Sequence, residues 1–416
     1  MDASVTTSTS IAGFASEAAV LEAARGRGEP DWLLERRTEA ARAFAALPLP
    51  TRQLRPWKYT DVSGLDFAAF PPATATVTIE ATPPAGSDAV SLASAVKTMP
   101  EGARGYLGGV IPATEGKFAA LNAALWQDGV GVHAARSATF AAPVTVTIEA
   151  TNTASGSVFP RVLIHAEEQS DVTVVLRLRS GAAPLLVAGV IEIIADQAST
   201  VRVLVDQRWG GATQDYSIVR SRVGRDASVQ LATLAIGGSV FKQTVEAVLD
   251  AAGGRSVIRG VALGDSNQHF DFVTLQDHVA AKTISDVEIK AALAGASRSI
   301  YYGVTRVGED AAGAEAMQTN RNLLLSDSAK ADSDPVLEIL TADVSKCGHA
   351  ATVGPVDGEA LFYLQSRGLD YRTALQLMVA GFFQSAIADI TIEGFGEELA
   401  AIVAAKLATS ELRAGT

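Results

Sequence analysis

The only cysteine in the 416-residue chain, Cys347, stands two residues before His349. In an extended strand, successive side chains point to opposite faces, so residues two apart share one face. A strand through this segment would therefore present a thiol and an imidazole side by side, which are a soft and a borderline ligand for a transition metal. Together they make half of a tetrahedral metal site.

The other histidines do not complete such a site from the sequence, because they lack the short ligand spacings of a zinc module. They are His133, His165, His269 and His278. A metal bound by Cys347 and His349 would need further ligands from a partner. The alternative is that the cysteine is a small buried hydrophobic residue and the histidine a hydrogen-bonded polar one. The spacing alone leaves both interpretations open.

Composition limits the class of protein. Hydrophobic residues make up 48% of the chain, which excludes a disordered protein and is enough for a sizeable core. The chain has 34 Lys and Arg against 46 Asp and Glu, and the net charge of −12 works against binding a nucleic-acid backbone. One cysteine excludes an internal disulfide framework.

No stretch has the character of a membrane span or an export signal. The most apolar run, LLVAGVIEIIA at 185–195, is too short to cross a bilayer and carries a charge. The N-terminal MDASVTTSTS is polar, and no Lys or Arg precedes Arg25. We therefore expect a cytoplasmic protein with no membrane insertion.

The predicted type of secondary structure changes near residue 100 and again near residue 357. Apolar residues at three- and four-residue intervals predict a small helical unit at about 12–47, and the run PPATATVTIEATPPAGSD indicates a linker or irregular structure. We predict an N-terminal helical and irregular region at 1–100, a β core at 101–356 and a C-terminal helical domain at 357–416.

The β signal is almost uninterrupted over about 144–307. Short runs such as DVTVVLRLRS and STVRVLVDQRW are rich in Val, Ile and Thr, and small polar turns separate them about every dozen residues. This rhythm fits a sandwich or a solenoid. The amount of β structure exceeds what one sandwich needs and favours a parallel β-helix, in which each coil buries its inward face on the next.

Helices return after Pro355. Asp357 is a plausible N-cap for a first helix that ends at Gly368, and Asp370 is a plausible N-cap for a second. The run at 396–408 predicts a third. Their apolar stripes indicate core packing, with a docking face for a partner as the alternative.

Three segments carry a family resemblance: QTNRNLLLSDSAKADSDPVLEI, the run CGHAATVG, and LFYLQSRG. Together they resemble the shared core of the SufB/SufD proteins, the scaffold subunits of the SUF iron-sulfur cluster assembly machinery. The resemblance covers about 160–390. The SufD branch fits better, because the chain length, RPWKYTDVSGLDF and AGFFQSAI are similar to SufD and because SufB-like proteins contain more cysteines.

The resemblance implies a mostly β fold, a right-handed parallel β-helix core flanked by N-terminal and C-terminal helical regions. It implies a non-enzymatic scaffold that pairs with a SufB-like subunit through the β-helix and docks a SufC-like ATPase on residues near 357–408. It places His349 at the interface with the SufB-like subunit, where it would help a partner cysteine to hold iron or a nascent iron-sulfur cluster. Cys347 is the second candidate ligand.

Some complexes of this family carry a flavin, and an aromatic and basic segment is the candidate contact for a flavin or a partner. It contains Arg55, Trp57, Lys58 and Tyr59. The alternative, which the residue types favour, is a surface that packs on its own domain. In the family motif, Asn320, Arg321 and Asn322 are interpreted as turn and packing residues.

One departure from the family pattern affects the candidate ligands. Two residues, Ser345 and Lys346, separate Val344 from Cys347, where the pattern has one. An extra residue in a strand forms a bulge or turns the following side chains to the other face. Alignment on the segment that follows keeps His349 in register, so we rely on His349 more than on Cys347.

Two other functions stay open at the level of sequence. A β-helix enzyme acting on carbohydrate would need clustered carboxylates on one face, whereas the acidic residues of 144–307 are dispersed. A homodimeric scaffold that works without a SufB-like partner would use the same edge pairing. The chain has no Walker A motif, so we expect no ATP hydrolysis by the chain itself.

Overall fold

The computed structural model of the protein describes residues 13–387, 395–410 and 412. Within these residues, a nine-stranded and an eleven-stranded sheet face each other across a hydrophobic interior. The chain passes repeatedly from one sheet to the other, and nearly every strand pairs in parallel with the strand one coil earlier. The mostly β fold and the parallel solenoid are therefore confirmed, and the sandwich is excluded.

The strands are β1 (Ala75–Glu80), β2 (Asp88–Ser91), β3 (Gly129–Ala134), β4 (Val144–Ala150), β5 (Gly156–Val158), β6 (Arg161–Ala166), β7 (Asp171–Ser180), β8 (Leu185–Val187), β9 (Val190–Ala195), β10 (Thr200–Arg208), β11 (Thr213–Val223), β12 (Ser228–Ala235), β13 (Val240–Leu249), β14 (Arg255–Gly264), β15 (His269–His278), β16 (Ile284–Leu293), β17 (Arg298–Val307), β18 (Ala314–Leu324), β19 (Lys330–Ile339) and β20 (Val344–Pro355). The helices are α1 (Glu17–Gly26), α2 (Asp31–Ala46), α3 (Leu92–Thr98), α4 (Glu101–Arg104), α5 (Lys117–Leu125), α6 (Gly358–Ser366), α7 (Tyr371–Ile387) and α8 (Phe395–Thr409). The nine-stranded sheet runs β1-β4-β7-β10-β12-β14-β16-β18-β20, and the eleven-stranded sheet runs β19-β17-β15-β13-β11-β9-β6-β3-β2 with β5 and β8 beside it.

Stacked β-branched and aliphatic residues fill the interior. Val174, Val203 and Leu231 on β7, β10 and β12 are in register and fully or nearly buried. Because side chains alternate between the faces of a strand, one alternate set from each strand points inward and stacks on the same set of the next coil. Burial of these stacked apolar side chains is the main contribution to stability.

The N-terminal helices cover the outer face of the eleven-stranded sheet. Helices α1 and α2 lie within the predicted helical unit at 12–47, and α5 packs beside them. Phe44 and Phe118 form a shared core with Leu163 and Tyr216 on the outer face of β6 and β11. The buried Arg37 donates hydrogen bonds to Glu29 and to the carbonyl of Trp126, which ties α2 to the end of α5.

The Pro-rich segment before residue 90 differs from the sequence-based expectation. Ala75–Glu80 forms strand β1, which pairs antiparallel with β4, so the interpretation of these residues as linker or irregular structure is wrong. The alternation of half-buried and exposed residues in β1 is typical of a strand with one covered face. The prolines flank this strand and do not interrupt it, so its ladder loses no donor.

Helices α7 and α8 cover the outer face of the nine-stranded sheet, and the three predicted C-terminal helices, α6, α7 and α8, are confirmed. Asp357 accepts hydrogen bonds from two backbone N–H groups in the first turn of α6, and Asp370 accepts one from Thr373 at the start of α7. Gly368 follows α6 with φ of 96°, a conformation that favours glycine. None of the helices in the described ranges is both long and apolar enough to span a membrane.

Candidate functional site

The last coil of the solenoid has two free strand edges. Within the described residues, β19 pairs only with β17 and β20 pairs only with β18, so each ends its sheet. The outer edge of such a strand carries backbone N–H and C=O groups that another strand can pair with. The apolar side chains of Ile339, Leu340 and Val353 at this end are also 44%, 61% and 46% exposed.

Both sequence-predicted ligands lie on β20. Cys347 is in register with Ala316 and His349 with Gln318, and these two β18 residues face the solenoid interior with at most 1% exposure. Residues in register on parallel strands point to the same face, so Cys347 and His349 lie together on the inward-facing side of β20. No further coil covers this side among the described residues. Cys347 is consequently only half-buried and His349 is exposed.

A β-bulge absorbs the extra residue in this segment. Val344 is in register with Ala314, but the next residue of β18, Glu315, is in register with Lys346. Ser345 is the unpaired residue of the bulge, and the strand beyond it regains a regular register. Of the two outcomes that the sequence allows for an extra residue, the structure has the bulge.

A polar layer lies directly beneath the open end, and sequence reasoning missed it. Gln318 is fully buried below His349; its amide nitrogen donates to the carbonyl of Val336 at 2.9 Å and its amide oxygen accepts from the Tyr301 hydroxyl at 3.0 Å. Three amides at alternate positions of β18 form this layer, in place of the aliphatic residues found in earlier coils. That alternation of Gln, Asn and Asn was the available signal.

Asn320 and Asn322 belong to the same layer. Both lie inside strand β18 and not in a turn, so the turn interpretation is wrong for them, while their packing role is confirmed by their burial. Asn322 donates to the side-chain oxygen of Asn320 at 2.7 Å, and Asn320 donates to the carbonyl of Ile289 at 3.1 Å. Arg321 is the exposed residue between them. The layer is a cross-linked polar floor under the candidate ligands.

The thiol and imidazole can supply two donors to a metal. Burial raises the pKa of the Cys347 thiol above its ordinary value, so the thiol is protonated at neutral pH until a metal ion or a nearby cation displaces the proton. Across the described residues, no three His, Cys, Asp or Glu side chains converge into a metal site. A metal or cluster at this end would therefore be completed by donors from outside the chain.

The remaining histidines lie away from the open end, and each has its own partner. His133 and His165 contact Glu167 and Asp196 at 3.0 and 2.9 Å. His269 contacts Thr60 at 2.9 Å. His278 is buried in the interior between two hydroxyl groups, and burial lowers its pKa to about 4, so the imidazole is neutral.

The aromatic and basic segment at 55–59 packs on its own chain. Trp57 stacks on Phe118 with ring centroids 5.5 Å apart, and the Lys242 ammonium lies 4.6 Å from the Trp57 ring on the sheet side. Arg55 reaches Asp334 on β19 at 3.9 Å. Trp57 also lines a groove of about 670 Å³ between this segment and the outer face of the eleven-stranded sheet.

The known proteins that this chain resembles are named for iron-sulfur cluster assembly. The SufBD core domain of the SUF system for FeS cluster assembly matches residues 147–382. An iron-sulfur cluster assembly SufBD family protein of Mycobacterium tuberculosis is 32% identical over 277 residues, which is 65% of this chain and 68% of that protein. The iron-sulfur cluster assembly protein SufB of Bacillus subtilis is 27% identical over 305 residues, 72% of this chain and 64% of that protein.

A plant relative matches a larger share of the chain than these two bacterial proteins do. A chloroplastic SufBD family protein of Arabidopsis thaliana is 27% identical over 330 residues, 76% of this chain and 58% of that protein. The matched core domain begins in β4, contains β5 to β20 with the open end of both sheets, and stops within α7; strands β1, β2 and β3 precede it. Because that core domain spans more than half of the chain, the protein belongs to the SufBD family of the SUF iron-sulfur cluster assembly system.

Proposed function

We propose that this chain is a SufD-like, non-catalytic scaffold subunit that pairs with a SufB-like subunit through its open solenoid end and docks a SufC-like ATPase on its C-terminal helices. One observation carries the proposal: two free strand edges, β19 and β20, flank the face on which Cys347 and His349 lie together. A partner that pairs with these edges covers that face and brings its own donors to it.

The SufD-like assignment depends on residues of this chain. The relatives include a protein named SufB as well as SufBD family proteins, so their names support the family and not the branch. Only one cysteine is present in 416 residues, whereas a subunit that assembled a cluster alone would need several thiolates. The chain is therefore suited to complete a site that is held mainly by its partner.

Iron or a nascent cluster is the cargo of this interface. His349 is exposed on the inward side of β20 and is free to contact a partner, so it is the first ligand of the proposal; Cys347 is half-buried beside it and is the second. Pairing would exclude water from both. Without water at the site, the thiolate and imidazole bind the cargo and are protected from oxidation.

The pairing is tested by a charge placed on the open end. Leu340→Arg adds a long cation to an exposed apolar position of the last coil, and we expect it to lower co-purification with the cognate SufB-like subunit by about tenfold or more. Val279→Arg is the matched control, because Val279 is exposed to a comparable degree but follows β15, two coils away. Equal co-purification of both variants would contradict pairing at this end.

Helix α6 is the proposed ATPase contact. It has no buried residue, and Phe362 and Tyr363 are 72% and 56% exposed, which is unusual for large apolar side chains on a surface without a partner. Helices α7 and α8 instead pack on the nine-stranded sheet through buried residues such as Phe383 and Leu399. A force applied to α6 therefore reaches the solenoid through a packed layer.

Point variants test this contact better than removal of 357–416, because removal would expose the sheet face beneath α7 and α8. Phe362→Ser with Tyr363→Ser should abolish pull-down of the SufC-like ATPase while co-purification with the SufB-like subunit survives. Leu54→Ser, at a 53% exposed apolar position on the N-terminal side, is the control. Retention of ATPase binding by the double variant would contradict the assignment.

A flavin in the assembled complex is a further part of the proposal. The groove beside Trp57 has a volume of about 670 Å³, within the range of small-molecule sites, and a lining of aromatic and aliphatic side chains with charged ones such as Lys242 and Glu246. Titration of the purified complex with oxidised flavin should quench Trp57 fluorescence, and Trp57→Leu should remove the quenching. Unchanged Trp57 fluorescence in the complex would contradict flavin binding in this groove.

Family membership favours the scaffold over the carbohydrate-active enzyme. A SufBD core domain covers the coils that such an enzyme would use for its substrate face, and three acidic residues on these coils, Asp171, Asp250 and Asp286, form ion pairs with neighbouring arginines. Paired carboxylates of this kind support cross-coil packing, whereas glycoside cleavage needs two carboxyl groups placed on either side of the scissile bond.

A further inference from the structure

Two arginines share one tryptophan where helix α2 meets the short helix α4. The guanidinium carbons of Arg36 on α2 and Arg104 on α4 lie 5.2 and 5.6 Å from the centre of the Trp32 ring. All three side chains are half-buried, and the two cations come from different segments of the chain. Contact with an aromatic ring holds a guanidinium in place and leaves its N–H groups available to an anion.

A third arginine adds positive charge from the sheet that these helices cover. Arg36 donates a hydrogen bond to the carbonyl of Leu107, and the next N–H along the chain, that of Gly108, donates to Glu192 on β9 at 3.0 Å. Arg161 on β6 is 2% exposed and donates to the same carboxylate at 2.6 Å. Burial, and after it the nearby charge of Arg161, lower the pKa of Arg36. The arginines therefore lie close enough to repel each other.

The buried carboxylate at this place does not compensate all of this charge. Glu192 accepts from three backbone N–H groups of the loop 108–111 as well as from Arg161. In the part of the chain that the structure describes, neither Arg36 nor Arg104 forms an ion pair. Glu39 is exposed and acts on Arg36 only through space. A bound anion would compensate both half-buried cations.

Unpaired donors indicate the chemistry of that anion. The indole Nε1 of Trp32 and the guanidinium Nε atoms of Arg104 and Arg161 are buried and have no acceptor among the described residues. Buried donors are normally paired, so three unpaired ones in a single cluster indicate a ligand rich in acceptor oxygens. Guanidinium forks match the oxygens of a phosphate, and a tetrahedral phosphate offers enough of them to serve donors from several side chains.

We propose that Arg36, Arg104 and Trp32 form a binding site for phosphate, either free or as the monoester of a small molecule. Among the described residues, no acceptor holds the Arg104 guanidinium by a hydrogen bond, so this side chain can turn onto the anion. A bound phosphate would join α2 to α4 and reduce the repulsion between their arginines. The site lies in the N-terminal layer, and the inference does not depend on pairing at the open end or on docking of the ATPase.

The test measures phosphate binding by the purified full-length chain at constant ionic strength. Inorganic phosphate and glycerol phosphate are titrated separately by calorimetry, and the tighter of the two identifies the source of the ligand. We expect saturable binding that Arg104→Gln weakens by about tenfold. Arg225→Gln is the matched control, because it removes the same charge from an exposed position in the turn after β11. Absence of saturable binding, or equal affinity of the two variants, overturns the inference.

The indole N–H of Trp32 provides a readout at the site itself. The chain has four tryptophans, so the nitrogen-15 NMR spectrum should contain four indole signals. Phosphate should shift one of them. Trp32→Phe keeps an aromatic ring and removes the donor, so it should delete that signal and weaken phosphate binding by about threefold or more. A phosphate-shifted signal that persists in Trp32→Phe, with no other indole signal lost on titration, would place the anion elsewhere and overturn the inference.

Discussion

At the scale of single residues, the two candidate metal ligands lie on β20, whereas the polar layer that supports them lies on β18. Cys347 and His349 are unconstrained at the open end, whereas Gln318 below them is held by Tyr301 and by the carbonyl of Val336. Buried amides with satisfied hydrogen bonds keep one conformation. Gln318 is therefore fixed below His349, while the candidate ligands remain able to adapt to a cargo and a partner.

The reactivity of the single thiol follows from its burial. Because burial raises the pKa of Cys347, less thiolate is present at neutral pH than in the unfolded chain, and alkylation is correspondingly slower. We expect the alkylation rate of the folded chain by iodoacetamide, followed by mass spectrometry, to rise at higher pH than that of the chain in denaturant. A folded chain that reaches its plateau at the lower pH would contradict this.

The polar floor should contribute measurably to stability. Tyr301→Phe removes the donor to Gln318 and leaves its buried amide oxygen without this partner, at a cost of about 1–3 kcal/mol in the free energy of unfolding by urea. The adjacent Tyr302→Phe is the control, because Tyr302 faces outward and is only half-buried, and its effect should be within about 0.5 kcal/mol. Equal losses would mean that the network does not support the floor.

At the scale of elements, the sequence predicts the helix ends, because these depend on residues that are close together in the sequence. The caps at Asp357 and Asp370 and the glycine at Gly368 are local signals, and all three are found in the structure. Strand β1 was missed because its partner, β4, is distant in the sequence and the flanking prolines suggested irregular structure. The bulge at Ser345 was one of two predicted outcomes, and only pairing with β18 decides between them.

Helices α6 and α7 of the C-terminal region should respond differently to the same substitution. Phe383 on α7 is fully buried against the nine-stranded sheet, so Phe383→Ala should lower the free energy of unfolding by about 3–5 kcal/mol. Phe362 on α6 is 72% exposed, and Phe362→Ala should change it by less than about 0.5 kcal/mol. Comparable losses in urea unfolding would show that α6 packs on the solenoid.

At the scale of the whole molecule, a separate group of helices covers the outer face of each sheet. The N-terminal helices cover the eleven-stranded sheet, helices α7 and α8 cover the nine-stranded sheet, and the last coil ends both sheets in the free edges of β19 and β20. Periodicity in the sequence left the solenoid and the sandwich as alternatives, and the family resemblance favoured the former. The polar floor was not predicted, because it depends on which strands become neighbours.

The proposal that His349 contributes to a shared cluster is tested most directly in the assembled complex. The chain is co-expressed anaerobically with its cognate SufB-like and SufC-like subunits, as wild type, as His349→Ala and as His133→Ala, a control histidine that contacts Glu167 far from the open end. Complex formation, bound iron and visible absorbance are measured for each. We predict that all three assemble and that only His349→Ala loses iron and absorbance. Unchanged cluster content in His349→Ala would contradict the ligand role and assign the cluster chemistry wholly to the partner.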